Sequence, residues 1–179
     1  MLGNPCRGLP SLVGLFLLFA ACAESISSEP AMASTRTEIA TPAGPLVVEQ
    51  VDIETLGIEY NIILAGKTVL HTKEADDHAA FPDNQVPSVV QYVAEPIGAF
   101  DAVAVFRQSN WGNACEGGPI WFLGIHRDGS FSTSLPIDAC GGAPPRVVVD
   151  HGVIHLTLPQ KGGPTQEWTY SGQTLARFR

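Results

Sequence analysis

The chain has 179 residues, of which 45% are hydrophobic and 16% are charged, and this balance excludes a disordered polypeptide while leaving room for one domain. Its 10 Lys and Arg residues against 18 Asp and Glu residues give a net charge of −8. Binding to nucleic acid or to an anionic membrane surface normally needs a clustered basic face, so both are excluded from the expected functions. Basic proteins remain suitable partners.

The segment 1–23 resembles a secretion signal. Arg7 precedes the apolar run 12–20, which has the length of a signal-peptide core and is shorter than the roughly 20 residues that a membrane-spanning helix needs. The small residues 21–23 match the site of an ordinary signal peptidase and predict a mature N-terminus at Glu24.

Residues 19–22, Phe-Ala-Ala-Cys, also resemble the lipobox of bacterial lipoproteins, in which the cysteine becomes the lipidated first residue of the mature protein. The match departs from the usual pattern at Phe19, where that family has leucine. Either cleavage implies export, so the sequence predicts a bacterial cell-envelope protein, periplasmic or held at the outer membrane by a lipid on Cys22. Contact with the membrane is expected only through that anchor.

Residues 24–45 are rich in Ser, Thr, Ala and Pro, lack periodicity, and predict a flexible linker. From Leu46 onward, short runs of β-branched and aromatic residues alternate with turn signals. We therefore predict a single all-β domain over 46–179, an antiparallel sandwich or barrel of about ten short strands. The predicted strands are 46–53, 58–65, 68–72, 88–95, 100–107, 120–126, 131–138, 146–150, 153–158, 165–170 and 173–178.

Pairs of turn residues between these runs predict β-hairpins. The pairs are Asp128-Gly129, His151-Gly152 and Ser171-Gly172, and the three residues Ala65-Gly66-Lys67 predict a fourth hairpin. Aspartate followed by glycine tolerates the positive φ angles of a two-residue type I′ turn, which would place residue 122 opposite residue 135. Ile120, Phe122, Leu135 and Ile137 would then share one face of the hairpin.

The strand predicted at 120–126 is apolar on both faces, because Trp121, Leu123 and Ile125 alternate with the residues of the first face. Two interpretations follow. Trp121 and Trp111 form an aromatic binding patch, or the strand is buried on both sides inside the domain.

Cys115 and Cys140 are the two cysteines of the predicted domain, and an exported compartment permits a disulfide between them. The predicted hairpin places Cys140 opposite Gly117, within two residues of Cys115, so a bulge at the neighbouring glycines would close the gap. A redox-active dithiol would instead use a C-x-x-C spacing. We predict a structural disulfide.

The segment 71–87 contains residues able to bind a metal or exchange protons, namely His71, Asp76, Asp77 and His78. Their spacing matches neither a zinc signature nor an EF-hand loop, so a solvated acidic loop is the competing interpretation.

The sequence has no G-x-S-x-G nucleophile motif and no phosphate-binding loop, and it predicts no cofactor. The expected function is a non-enzymatic binding or interaction module whose partner is another envelope or secreted protein. Two alternatives remain open: a small periplasmic hydrolase or metal-dependent enzyme that uses 71–87, and a structural component of an envelope complex.

Overall fold

The computed structural model describes residues 34–53, 57–73, 85–110, 118–139 and 143–178. Within these ranges the chain forms twelve strands and no helix, so no described segment provides a helix able to cross a membrane. The strands are β1 (Ser34–Thr41), β2 (Gly44–Ile53), β3 (Gly57–Leu64), β4 (Lys67–Lys73), β5 (Gln85–Val93), β6 (Ala102–Asn110), β7 (Ile120–Ile125), β8 (Phe131–Thr133), β9 (Arg146–Asp150), β10 (Val153–Leu158), β11 (Gln166–Tyr170) and β12 (Leu175–Arg177).

The strands form three antiparallel sheets of four strands each, and within each sheet consecutive strands of the chain pair with one another. We call them the first sheet (β1 to β4), the middle sheet (β5 to β8) and the third sheet (β9 to β12). The predicted all-β, antiparallel architecture is confirmed. The described part of the chain contains more strands than predicted, and they are arranged in three sheets.

One additional strand, β1, lies inside the segment predicted as linker, 24–45. It pairs with β2 over its whole length, from Ser34 opposite Val51 to Thr41 opposite Gly44. The turn is closed by the Thr41 hydroxyl, which donates to the Gly44 carbonyl at 2.6 Å and accepts the Ala43 amide at 3.2 Å. Tertiary pairing therefore imposes a strand on a segment whose composition favours no regular structure.

The middle sheet is covered on both faces by the other two sheets. Residues that pack between the first and middle sheets are Leu46, Ile62, Leu64, Ala102, Ala104, Phe106, Trp121, Leu123 and Ile125. Residues that pack between the middle and third sheets include Val103, Val105, Ile120, Phe122, Ile137, Ile154, Leu156, Leu158 and Tyr170. Successive side chains of a strand point to opposite faces, so all six residues of β7 are buried.

Two of the predicted hairpins have a two-residue turn, as predicted at His151-Gly152 and one residue shorter than predicted at 65–67, since Lys67 pairs with Leu64. Ala65 and Gly66 have φ angles of 48° and 80°, and His151 and Gly152 have φ angles of 49° and 73°. Positive φ at both central positions defines the type I′ turn, whose twist matches that of the flanking strands. The hairpin at Ser171-Gly172 is also present, but its loop is longer, since Tyr170 pairs with Leu175.

The prediction for the hairpin at Asp128-Gly129 is wrong in its register. The His126 amide donates to the Ser130 carbonyl at 2.9 Å, and the Gly129 amide donates to the His126 carbonyl at 3.0 Å, so the loop has three residues and only Gly129 takes positive φ, at 81°. The Ser130 hydroxyl and amide both donate to Asp128, and these hydrogen bonds hold the pKa of that carboxyl below its usual value.

The longer loop shifts the pairing by one residue and so exchanges the two faces of the partner strand. Phe122 lies opposite Ser134, whose amide donates to the Phe122 carbonyl at 2.9 Å, and Leu135 points away from the core with 82% of its surface exposed. An irregular segment at 134–136 restores the predicted position of Ile137, which bridges to Ile120 and is buried. The predicted shared face therefore contains Ile120, Phe122 and Ile137 without Leu135.

Candidate functional site

An open groove of about 880 Å³ lies where the middle and third sheets meet at one edge. The middle sheet contributes Phe100, His126 and the segment 132–136, and the third sheet contributes Trp168, Tyr170 and the segment 172–175. Binding sites for small ligands commonly have volumes of roughly 300 to 1,000 Å³, so the groove is of a suitable size for a ligand.

Tyr170 anchors the third-sheet side of the groove. Its ring stacks on Phe122 of the middle sheet, with ring centroids 4.3 Å apart and planes 7° from parallel. Its hydroxyl donates to the Gly172 carbonyl at 3.0 Å, within the loop that follows β11. The Ser171 amide closes the same loop by donating to the Thr174 carbonyl at 3.1 Å. The loop thus has a fixed shape beside the groove.

The turn that joins β5 to β6 packs tightly against this loop. Ile97 and Phe100 form a two-bond bridge, and the turn between them has Gly98 at a φ of 59°. A Cβ atom on Gly98 would lie 2.2 Å from the Ser171 carbonyl oxygen, which is inside van der Waals contact. Glycine at 98 therefore allows the two backbones to approach, and this approach sets the position of Phe100 in the groove.

The middle-sheet side of the groove is shaped by Ser134. Its hydroxyl accepts the Phe122 amide at 3.0 Å and donates to the Leu135 carbonyl at 2.9 Å. A side chain thus takes the place of one backbone partner in the ladder, and the chain turns outward at Leu135. The exposed Leu135 and the adjacent Pro136 form an apolar rim on the groove.

The chemistry of the groove is neutral and amphipathic. None of the described residues that line it is Asp, Glu, Lys or Arg. Apolar surface comes from Phe100, Leu135 and Leu175, and hydrogen-bonding groups come from the hydroxyls of Ser132 and Thr174. Such a surface suits an uncharged ligand with both apolar and hydrogen-bonding parts.

Burial raises the pKa of Tyr170 to about 12 from the ordinary tyrosine value of 10.0. At a pH between these two pKa values the folded protein keeps the phenolic proton of Tyr170, whereas the unfolded chain loses it. Unfolding then releases a proton, so the free energy of unfolding is undiminished by this group below about pH 10 and falls as the pH rises toward 12.

We expect Tyr170→Phe to remove the part of the pH dependence of the free energy of unfolding that comes from the Tyr170 hydroxyl. Urea titrations at pH 9 and pH 11 measure how much the free energy of unfolding falls between these two pH values. The fall should be smaller in Tyr170→Phe than in the wild type, because phenylalanine has no proton to lose. Equal losses in the two proteins would show that Tyr170 ionises as readily in the folded state as in the unfolded state.

A binding patch at Trp121 would require an exposed indole, and in the structure this side chain is buried. Trp121 is 4% exposed and stacks on Phe106 at a centroid distance of 4.4 Å. The indole therefore belongs to the packing between the first and middle sheets, in agreement with the second interpretation of this strand. Trp111 lies outside the described residues.

Of the predicted metal-binding residues, His71 is described. It is exposed on β4, and its Nδ1 lies 2.6 Å from Oδ1 of Asn61, an acceptor, so Nδ1 carries the proton in this pair. Asn61 in turn donates to Glu49 at 3.2 Å, and Glu49 pairs with Arg36 at 3.5 Å, which makes a polar row across the outer face of the first sheet. Among the described residues no group of three His, Cys, Asp or Glu side chains is arranged to hold a metal.

The remaining predicted residues lie outside the described ranges, and their roles stay predictions. They are Asp76, Asp77 and His78 of the metal hypothesis, Cys115 and Cys140 of the disulfide, and Cys22 of the lipid anchor.

Sequence patterns do not mark the residues that form the groove. Phe100, Trp168 and Leu175 come from three separate strands or turns and share no motif. The one available signal was the apolar Leu135 after β8, which the predicted register placed on the same face as Phe122. Comparisons of the chain with protein-family models, with curated proteins and with solved structures find no match.

Proposed function

We propose that this protein is an exported, non-enzymatic binding module of the bacterial cell envelope, and that the groove between the middle and third sheets is its binding site. The leader at 1–23 supports export, with a lipid on Cys22 as the proposed anchor. The partner we propose is another envelope or secreted protein.

The observation that carries the proposal is the groove itself. It combines a volume of about 880 Å³ with apolar lining side chains, an exposed leucine on its rim and several uncharged hydrogen-bonding groups. Large exposed apolar residues next to a concave surface are typical of interaction sites. The structure fixes this shape in advance through the Tyr170 hydroxyl bond and the tight turn at Gly98, so binding requires little ordering.

The described part of the groove favours binding over hydrolysis. A serine nucleophile needs a base within hydrogen-bonding reach. The Ser134 hydroxyl is instead held by two backbone groups, and among the described residues no hydrogen bond joins the His126 imidazole to a serine hydroxyl. His126 packs against the Phe100 ring, with centroids 4.8 Å apart.

Site-specific photo-cross-linking tests the proposal in the producing bacterium. A p-benzoylphenylalanine at position 135, on the groove rim, should cross-link a partner, whereas the same group at Val148, 42% exposed on the outer face of the third sheet, should not. Filling the groove with Gln173→Trp should abolish the cross-link from position 135, because the bulky side chain occupies the site from an exposed position.

The matched control is Val148→Trp, which adds the same side chain outside the groove. Equal cross-linking in Gln173→Trp and Val148→Trp would contradict the groove as the binding site.

A further inference from the structure

The middle sheet has an open edge at β8. Its three residues pair with β7 on one side, and no described strand pairs with β8 on its other side. Ser132 and Thr133 are exposed to solvent. An edge strand presents unpaired backbone groups, which are a template for one more strand.

The register shows which backbone groups are free. Hydrogen bonds from His126 to Ser130 and from Ser134 to Phe122 place the even-numbered residues of this segment in the hydrogen-bonded pairs with β7. In an antiparallel ladder the alternate residues direct their amide and carbonyl groups to the opposite side. Phe131 and Thr133 therefore present these groups to the open edge, at a spacing of roughly 7 Å.

Concave surfaces lie on both sides of this edge. The groove lies toward the third sheet, and a smaller pocket of about 110 Å³ lies toward the first sheet. Thr133, Ser134 and Pro136 line both of them. Since successive side chains of a strand point to opposite faces, a strand added at β8 would direct its side chains alternately into the groove and into the small pocket.

Trp121, a lining residue of the small pocket, has a buried donor without a partner among the described residues. Trp121 lines the pocket together with Val69 and Leu70, and its Nε1 has no hydrogen-bond partner in the described structure although the residue is 96% buried, being 4% exposed. A buried N–H without an acceptor is costly, and a ligand that supplies the acceptor recovers that cost. The pocket volume fits a short side chain such as that of serine or threonine.

Charge defines the ends of the segment that would bind. The described lining residues of both concave surfaces include no Asp, Glu, Lys or Arg, which favours uncharged side chains at the centre. The chain as a whole carries a net charge of −8, which attracts a segment with basic ends.

We propose that β8 binds an extended segment of a partner protein as a fifth strand of the middle sheet. The segment has basic ends and a neutral centre, in which apolar side chains enter the groove and short hydroxyl side chains enter the pocket beside Trp121. This proposal rests on the proposed function, because the groove is its larger subsite. Only a short stretch of backbone is free at β8, so the two subsites supply most of the specificity.

A synthetic peptide, Lys-Lys-Thr-Leu-Ser-Leu-Thr-Lys-Lys, is the probe, and isothermal titration calorimetry measures its binding to the full-length protein purified from the envelope. We expect binding to the wild type. Two further peptides carry N-methyl groups on alternate backbone amides, one on the odd-numbered residues and one on the even-numbered residues. We expect one of them to bind at least about tenfold more weakly than the parent peptide, because only the amides that face β8 are needed. An unmodified peptide that fails to bind, or equal binding of both methylated peptides and the parent, would overturn the proposal.

On the protein, Thr133→Pro removes an amide that faces the open edge and takes no part in the ladder with β7, and proline is tolerated at such edge positions. We expect Thr133→Pro to lose a similar amount of affinity for the peptide while its thermal unfolding temperature is preserved, and we expect no loss of affinity in Thr133→Val.

Trp121→Phe should lower the affinity for the parent peptide about fivefold. It should leave unchanged the affinity for a peptide with alanine at its central serine.

The groove-filling variant separates this proposal from the proposed function. If Gln173→Trp abolishes binding while Thr133→Pro and both methylated peptides bind normally, strand addition is wrong and the groove remains a binding site. If instead Gln173→Trp binds the peptide with wild-type affinity, the groove is not the subsite and both proposals fail.

Discussion

Replacing Gly98 by alanine is expected to lower the free energy of unfolding by about 3 kcal/mol or more, one of the two largest effects that we expect from a single substitution in this protein. The added Cβ would lie 2.2 Å from the carbonyl oxygen of Ser171 and 3.1 Å from its carbonyl carbon. These are backbone atoms, which cannot turn aside as a flexible side chain can. The turn at 97–100 and the loop at 171–174 would have to separate, and the edge between the middle and third sheets would open.

Urea unfolding followed by circular dichroism measures the change, and Gly162→Ala is the matched control. Gly162 also has a positive φ, 73°, but a Cβ there would meet nothing within 4 Å. We expect this control to lose only the backbone strain of a non-glycine residue in the left-handed region, about 1 kcal/mol. Similar losses in Gly98→Ala and Gly162→Ala would mean that the close approach at Gly98 has no energetic importance.

The second large effect is expected for Phe122→Ala. Phe122 lies at the centre of β7, is 0% exposed, and stacks on Tyr170 across the boundary between the middle and third sheets. Truncating a buried phenylalanine removes its transfer free energy and leaves a cavity, which together cost about 3 to 5 kcal/mol. Because single domains have total stabilities of about 5 to 15 kcal/mol, this variant should unfold at a much lower urea concentration.

Leu135→Ala is the control for this prediction, since it also removes a large apolar side chain from the same hairpin. Leu135 is 82% exposed, so its truncation should change the free energy of unfolding by less than about 0.5 kcal/mol. Equal effects at the two positions would mean that Leu135 is buried in solution and that the register of β7 with β8 is the predicted one after all.

Strong local patterns allowed much of the fold to be predicted. The strands β9 and β10 have the predicted bounds, and the type I′ turn between them follows from the preference of its glycine for positive φ. The apolar residues on both faces of β7 allowed two interpretations, a binding patch or a strand buried on two sides, and the second agrees with the burial of all six residues.

Pairing and packing that no local pattern marks account for what could not be predicted. β1 has only Ile39 packed against the core, so no alternation marks it as a strand before its pairing with β2 is known. The register of β8 depended on one residue of loop length at Gly129, which Asp-Gly does not determine. The groove could not be predicted either, because it depends on the exposure of Leu135 and on the packing of the third sheet against the middle sheet.

In the part of the chain that the structure describes, every sheet is an up-and-down meander of consecutive strands. Each backbone ladder therefore joins neighbours in sequence, and none requires two distant parts of the chain to meet first. All-β proteins usually fold slowly because closing long loops has an entropic cost before any contact is gained. Here each meander can form on its own, and the slow event is expected to be the docking of the outer meanders onto the two faces of the central one.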